Sequence, residues 1–275
     1  MNRQRTWTFL VAAALVASPA LGADEAQKSP AAVFPAGVKT RDAEDPADIH
    51  RTFGSIAEAA VTKDGFDDVV ERLVDQDRNR IGRAAEEKSP ELDKAVEQVR
   101  RAWKDKYREE LDVDPKSAFG SVTLLRGEIE DPKQAAANWP VRAVAQPAAG
   151  ADAETAGAAQ RADQENAKGN ADPNLNSNIE KGRDVAIATV PASHGLPALH
   201  VSLIREAQGW RIDVPNNLAA GQIRDNLVKH LGHVAAQTGQ WPADKNDASL
   251  LLAHHVLMAV YNVDVPQKEG AAQDK

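Results

Sequence analysis

Four of the seven histidines come as two close pairs near the C-terminus. His230 and His233 are three residues apart in LAAGQIRDNLVKHLGHVAAQ, and His254 and His255 are adjacent in ASLLLAHHVLMAVYN. Residues three apart share a helix face, and imidazoles from two neighbouring helices can ligate zinc or copper. His230, His233, His254 and His255 are therefore the candidate metal ligands. Three features oppose a metal. No Asp or Glu completes the set on either helix face. Adjacent His254 and His255 cannot point the same way. His230 sits beside an apolar stripe, where a histidine is packed and hydrogen-bonded. No cofactor is expected. The chain has no glycine-rich phosphate loop, no Gly-x-Ser-x-Gly elbow and no His-Glu-x-x-His pair. It also has no cysteine, which excludes disulfides, thiolate chemistry, Cys-bound zinc, Fe–S clusters and a lipoprotein anchor.

The elements that must position these residues are built from an unusual mixture. Of 275 residues, 42% are hydrophobic but only 4% aromatic, so the core must be Val, Leu, Ile and Ala. A formal charge of −8 opposes non-specific binding to nucleic acid, which needs clustered Lys and Arg. The charged run from Asp75 to Asp114 mixes both signs and reads as a solvated helical face. At the N-terminus, Arg3 and Arg5 precede the apolar run Trp7–Ala17, and Ser18–Gly22 supplies small residues for cleavage after Gly22. That order is a secretory signal peptide, too short to span a bilayer. The expectation is a periplasmic or secreted protein with no membrane insertion after cleavage.

In order, residues 1–22 read as the signal peptide and 23–50 as a disordered leader. Residues 51–215 read as one α+β domain. It opens with a helical hairpin in which Phe53, Ile56, Ala57 and Ala60, then Phe66, Val69, Val70, Leu73 and Val74, fall at helical spacing around Asp64-Gly65. Asp75–Pro90 reads as a connector or exposed extension. Ser89 as N-cap and Pro90 at the first position open a helix with the stripe Leu92, Val96, Val99, Trp103, Tyr107. Ser121–Ile129 and Trp139–Ala145 are strand candidates, and Ala/Asn-rich 147–178 is a mobile insertion. Arg183–Pro215 alternates with period two through three strands and two short turns, the pattern of antiparallel pairing. A helical extension follows over 216–264, opening at Asn216–Asn217. It carries the stripe Ile223, Leu227, Leu231, Val234, then a helix capped by Asp247 that is apolar nearly all round. Residues 265–275 read as a disordered tail.

The hairpin with its Lys-Asp-Gly-Phe turn, the charged helix, and strands ending in HVSLIREAQGWRIDV together resemble exported bacterial proteins of the NTF2-like (cystatin-like, SnoaL-type) superfamily. Val201, Leu203, Glu206, Gly209, Trp210 and Ile212 carry the resemblance, which covers roughly Phe53 to Val214. It implies an antiparallel curved sheet packed against N-terminal helices, with the C-terminal helices as an addition. It also implies a conical pocket in which an Asp or His can act as general base. Asp213, His200 and Tyr107 are the residues that could fill that role here. The leading expectation is a non-catalytic envelope protein that binds a small apolar molecule or a protein partner, with a homodimer as one possible assembly. The alternatives are an isomerase, dehydratase or hydrolase with its site in the cone, and an assembly factor docking through its C-terminal helices.

Overall fold

A computed structural model of the chain describes residues 32–41, 47–62, 65–82, 89–112, 122–137, 139 and 179–265. The signal-peptide pattern, the insertion over 147–178, the strand expected after Trp139 and all but the first residue of the tail lie outside these. In chain order the elements are β1 (Val38–Arg41), α1 (Ala47–Ala60), α2 (Gly65–Val70), α3 (Asp75–Gly82), α4 (Pro90–Tyr107), β2 (Thr123–Ile129), α5 (Pro132–Ala136), β3 (Asp184–Val190), β4 (Leu199–Glu206), β5 (Gly209–Ile212), α6 (Ala220–Ala236), a 3-10 turn (Thr238–Gln240) and α7 (Lys245–Val260).

The fold is α+β. The five strands form one curved antiparallel meander in sequence order, with helices on both sides. The expected alternation sets its register: Thr189 lies opposite His200, and Leu203 opposite Ile212. Gly209, at φ 115°, turns β4 into β5 as only glycine does comfortably. The outer edge of β5 is not left bare. The Ile212 N–H donates to the Arg72 carbonyl, and the Val74 N–H to the Ile212 carbonyl, so the segment after α2 covers it.

Both faces of the central strands are buried. Ala186, Ala188, Leu199, Val201, Leu203, Trp210 and Ile212 face the main core, with Phe53 and Ile56 of α1 and the apolar residues of α7 from Ala248 to Val260. The apolar-all-round helix is thus largely enclosed, packed between α1 and α6, with its first turn and Leu250–Leu251 left partly open. Val185, Ile187 and Ile204 face a second, smaller core closed by Val74, Ile129, Trp139 and Ile179. Each buried Leu or Ile contributes about 1.5–3 kcal/mol.

Several expectations need correcting. The leader is not wholly unstructured, because its Val38–Arg41 segment forms β1 and α1 begins at Ala47. β1 is short and mostly exposed, so it leaves no apolar pattern. It pairs because Gly127 has no side chain: a Cβ there would lie 2.7 Å from Val38 Cγ1 and 2.8 Å from the Lys39 carbonyl. Asp75–Gly82 is a packed helix, with Asp77 and Ile81 fully buried. Asn216–Asn217 form a turn, and α6 starts three residues later. Asp244, rather than Asp247, caps α7 by accepting from the Asn246 and Asp247 N–H groups. Ser89 and Pro90 open α4 as expected.

Candidate functional site

The space between sheet and helices, where a cone would open, is filled by the main core. Tyr107 does not enter it. Its hydroxyl donates to the Pro242 carbonyl at 2.6 Å, and its ring packs on Trp103 and Trp241. His200 is buried on the second face of the sheet, opposite Thr189.

Asp213 is also on that second face, and it is not the solvated strand residue its alternation allows. It is 5% exposed and accepts from Trp139 Nε1 at 2.5 Å. The Asp77 carboxyl meets it from α3. Burial, and then the Asp77 charge, push the Asp213 carboxyl well above the usual range. Asp77 is raised by burial too, but it is opposed by Arg80, which bonds its Oδ1 at 2.6 Å, and by the Val214 N–H on its Oδ2 at 3.1 Å. The pair is satisfied when Asp77 is the anion and Asp213 keeps the proton and donates it to Asp77. A protonated carboxyl at neutral pH can serve as a general acid. Here, however, its bonds join α3, the end of β5 and Trp139, and neither residue lines any of the cavities described below.

Beside this pair, the Tyr261 hydroxyl enters the β4–β5 ladder. It accepts from the Ser202 N–H at 2.8 Å and donates to the Asp213 carbonyl at 2.8 Å, while the Asp213 N–H donates directly to the Ser202 carbonyl at 2.9 Å. Burial raises this phenol well above its normal value. Sequence reasoning missed Asp77, Trp139 and Tyr261. For Asp77 a signal existed: Asp77 and Ile81 are four apart on one helix face, which puts the carboxylate on the same side as a buried isoleucine.

The four candidate metal ligands are only partly brought together. His230 Nδ1 and His255 Nδ1 face one another at 3.1 Å, and the His233 ring centroid lies 5.5 Å from that of His255. His254 turns away to the Pro197 carbonyl, 2.9 Å from its Nε2, so the adjacent pair does diverge. Among the described residues, no group of three His, Cys, Asp or Glu is arranged to hold a metal ion. Burial lowers all four imidazoles, His254 to about 4 and His255 to about 3. These rings are neutral at physiological pH.

Two of them open onto a cavity of about 310 Å3. It is lined by His194, Gly195 and Leu196 of the β3–β4 loop, by His233, Val234 and Gln237 of α6, by Gln240 and Trp241, and by Leu251 and His255 of α7. His194 carries no signal in the sequence, because it lies in a turn (φ 52°) far from the others along the chain. A wider groove of about 720 Å3 between α4 and α6 is lined by small and charged residues, and its Lys106 is already bonded to the Thr238 and Trp241 carbonyls. The apolar surface of α7 is spent inside the protein. Among the described residues, Val33 is the one large hydrophobic that stands exposed. No helix among them is long and apolar enough to cross a membrane.

The chain matches no protein-family model, no curated protein and no solved structure.

Proposed function

We propose that this is an exported binding protein for a small, partly apolar molecule, with its site in the histidine-lined cavity. The observation that carries the reading is the make-up of the walls. Leu196, Val234, Trp241 and Leu251 offer apolar area, and His194, His233, His255, Gln237 and Gln240 offer a few convergent polar groups. That combination, at a volume of about 310 Å3, is what small-molecule sites use. Export rests on the signal-peptide pattern of residues 1–22. The proposed NTF2-like kinship rests on the sequence pattern Val201, Leu203, Glu206, Gly209, Trp210 and Ile212. The site, however, lies at the C-terminal helices and not in the cone.

A docking role through α7 has less in its favour, since that helix is buried. Catalysis in the cone has less still, since side chains fill it.

The test is native mass spectrometry of protein recovered from the cell envelope, beside Leu251→Trp. Leu251 is only partly buried, so the larger ring can turn into the cavity without disturbing the core. A bound mass in the wild type that is absent from the variant supports the reading. A mass that persists in the variant refutes it.

A further inference from the structure

The hydrogen-bonding polarity of the cavity follows from the groups behind it. The Val263 carbonyl can only accept, so His230 Nε2, 2.9 Å away, carries a proton. A neutral His230 then has a bare Nδ1. The His255 Nδ1 that meets it at 3.1 Å must be the donor. A neutral His255 with its proton on Nδ1 has a bare Nε2. No group among the described residues bonds that atom, and His255 lines the cavity. Beside it, the Gln237 amide approaches His233 Nδ1 at 3.5 Å, which favours a bare Nδ1 and a protonated Nε2 there. The cavity therefore presents a fixed acceptor at His255 and a donor at His233, beside the polar groups of His194, Gln237 and Gln240 and apolar walls from Leu196, Val234, Trp241 and Leu251.

We infer that the cavity selects small planar heterocycles carrying a ring N–H, which donate to His255 Nε2, and that His230 is the positioning residue that fixes this tautomer. This deepens the proposed function and rests on the cavity being the binding site. Discrimination should be sharp. A ligand that lacks the N–H leaves the acceptor of a buried ring unpaired, and sites built around a hydrogen bond reject such analogues strongly. A metal fits the arrangement less well. His230 Nδ1 is committed to His255, and His254 Nε2 to the Pro197 carbonyl, so a metal would have to break bonds already made.

The experiment uses the mature full-length chain and two isomeric probes of equal size, C-methylbenzimidazole, which keeps its N–H, and N-methylbenzimidazole, which lacks it. Calorimetry gives their affinities, and long-range nitrogen–proton NMR reads the protonation of His255 Nε2. The C-methyl isomer is expected to bind about tenfold or more tightly than the N-methyl isomer. His230→Phe should erase that preference and scramble the His255 tautomer. His230→Gln should restore both, since its carbonyl can accept from His255 Nδ1 while its amide donates to Val263. Equal binding of the two isomers overturns the tautomer inference and leaves the cavity reading standing. Binding of neither isomer overturns the inference, and binding that survives Leu251→Trp overturns the cavity reading as well. Zinc bound in place of the heterocycles, with loss of the His255 Nε2 lone-pair signal, also overturns it by assigning that lone pair to a metal.

Discussion

Acid should destabilise this protein through His254 and His255 before its carboxylates matter. Both rings are buried and neutral, with values of about 4 and about 3 against an ordinary 6.5. The first cause in each case is burial, which penalises the charged form; His230 and His233 add repulsion at His255. The sign follows from proton counting. Between 6.5 and the folded values the unfolded chain binds protons that the folded chain refuses, so stability falls as pH falls through that window. At ~1.4 kcal/mol per pH unit, a histidine lowered from 6.5 to about 4 costs about 2–3 kcal/mol by pH 4.5. That is a large part of the total for a domain with the usual 5–15 kcal/mol. Urea unfolding followed by tryptophan fluorescence, at intervals from pH 8 to pH 4.5, measures it. His254→Gln keeps a donor for the Pro197 carbonyl but cannot titrate. Its profile should be flatter than wild type by about 2–3 kcal/mol between pH 7 and pH 4.5. Parallel profiles for wild type and variant would refute the reasoning.

The Asp77–Asp213 pair works with the opposite sign. Asp213 keeps a proton that the unfolded chain gives up, so this carboxyl destabilises the fold as pH rises from near 4 toward its raised folded value. Asp213→Asn, which can still accept from Trp139 and donate to Asp77, should gain stability relative to wild type at neutral pH and lose that gain in acid. A pH-independent difference would count against a protonated Asp213. Asp77→Ala should cost about 1–3 kcal/mol by removing the acceptor of Arg80 and of the buried Val214 N–H, read as a lower urea midpoint. Tyr261→Phe leaves the Ser202 N–H and the Asp213 carbonyl without the hydroxyl that joins them. It should cost about 1–3 kcal/mol and speed amide exchange at Ser202; unchanged exchange there would contradict the inserted hydroxyl. Gly127→Ala should release β1 from the sheet edge, seen as faster exchange of the Lys39 and Arg41 amides with the other strands still protected.

The sheet was legible because its alternation is local. Leu199, Val201 and Leu203 on one side and Trp210 and Ile212 on the next strand mark one face without reference to anything distant. The fate of the other face was not legible, because distant chain segments decide it. Trp139 and Asp77 come from separate parts of the chain to enclose Asp213, and no spacing within RIDVP announces them. The histidines fall between these cases. Helical spacing correctly separated His254 from His255. Whether His230 and His255 would share a metal or a proton depended on the Val263 carbonyl, which lies beyond both helices and commits His230 Nε2 as a donor. That carbonyl is the reason the cluster works as an oriented hydrogen-bond relay. A chain of Val263 to His230 to His255 can present an unprotonated acceptor nitrogen to the cavity at neutral pH, because neither buried ring takes up a second proton there. The burial that makes the protein acid-sensitive is therefore also what keeps its proposed ligand acceptor available, and conditions that protonate His255 should release the ligand and loosen the fold together.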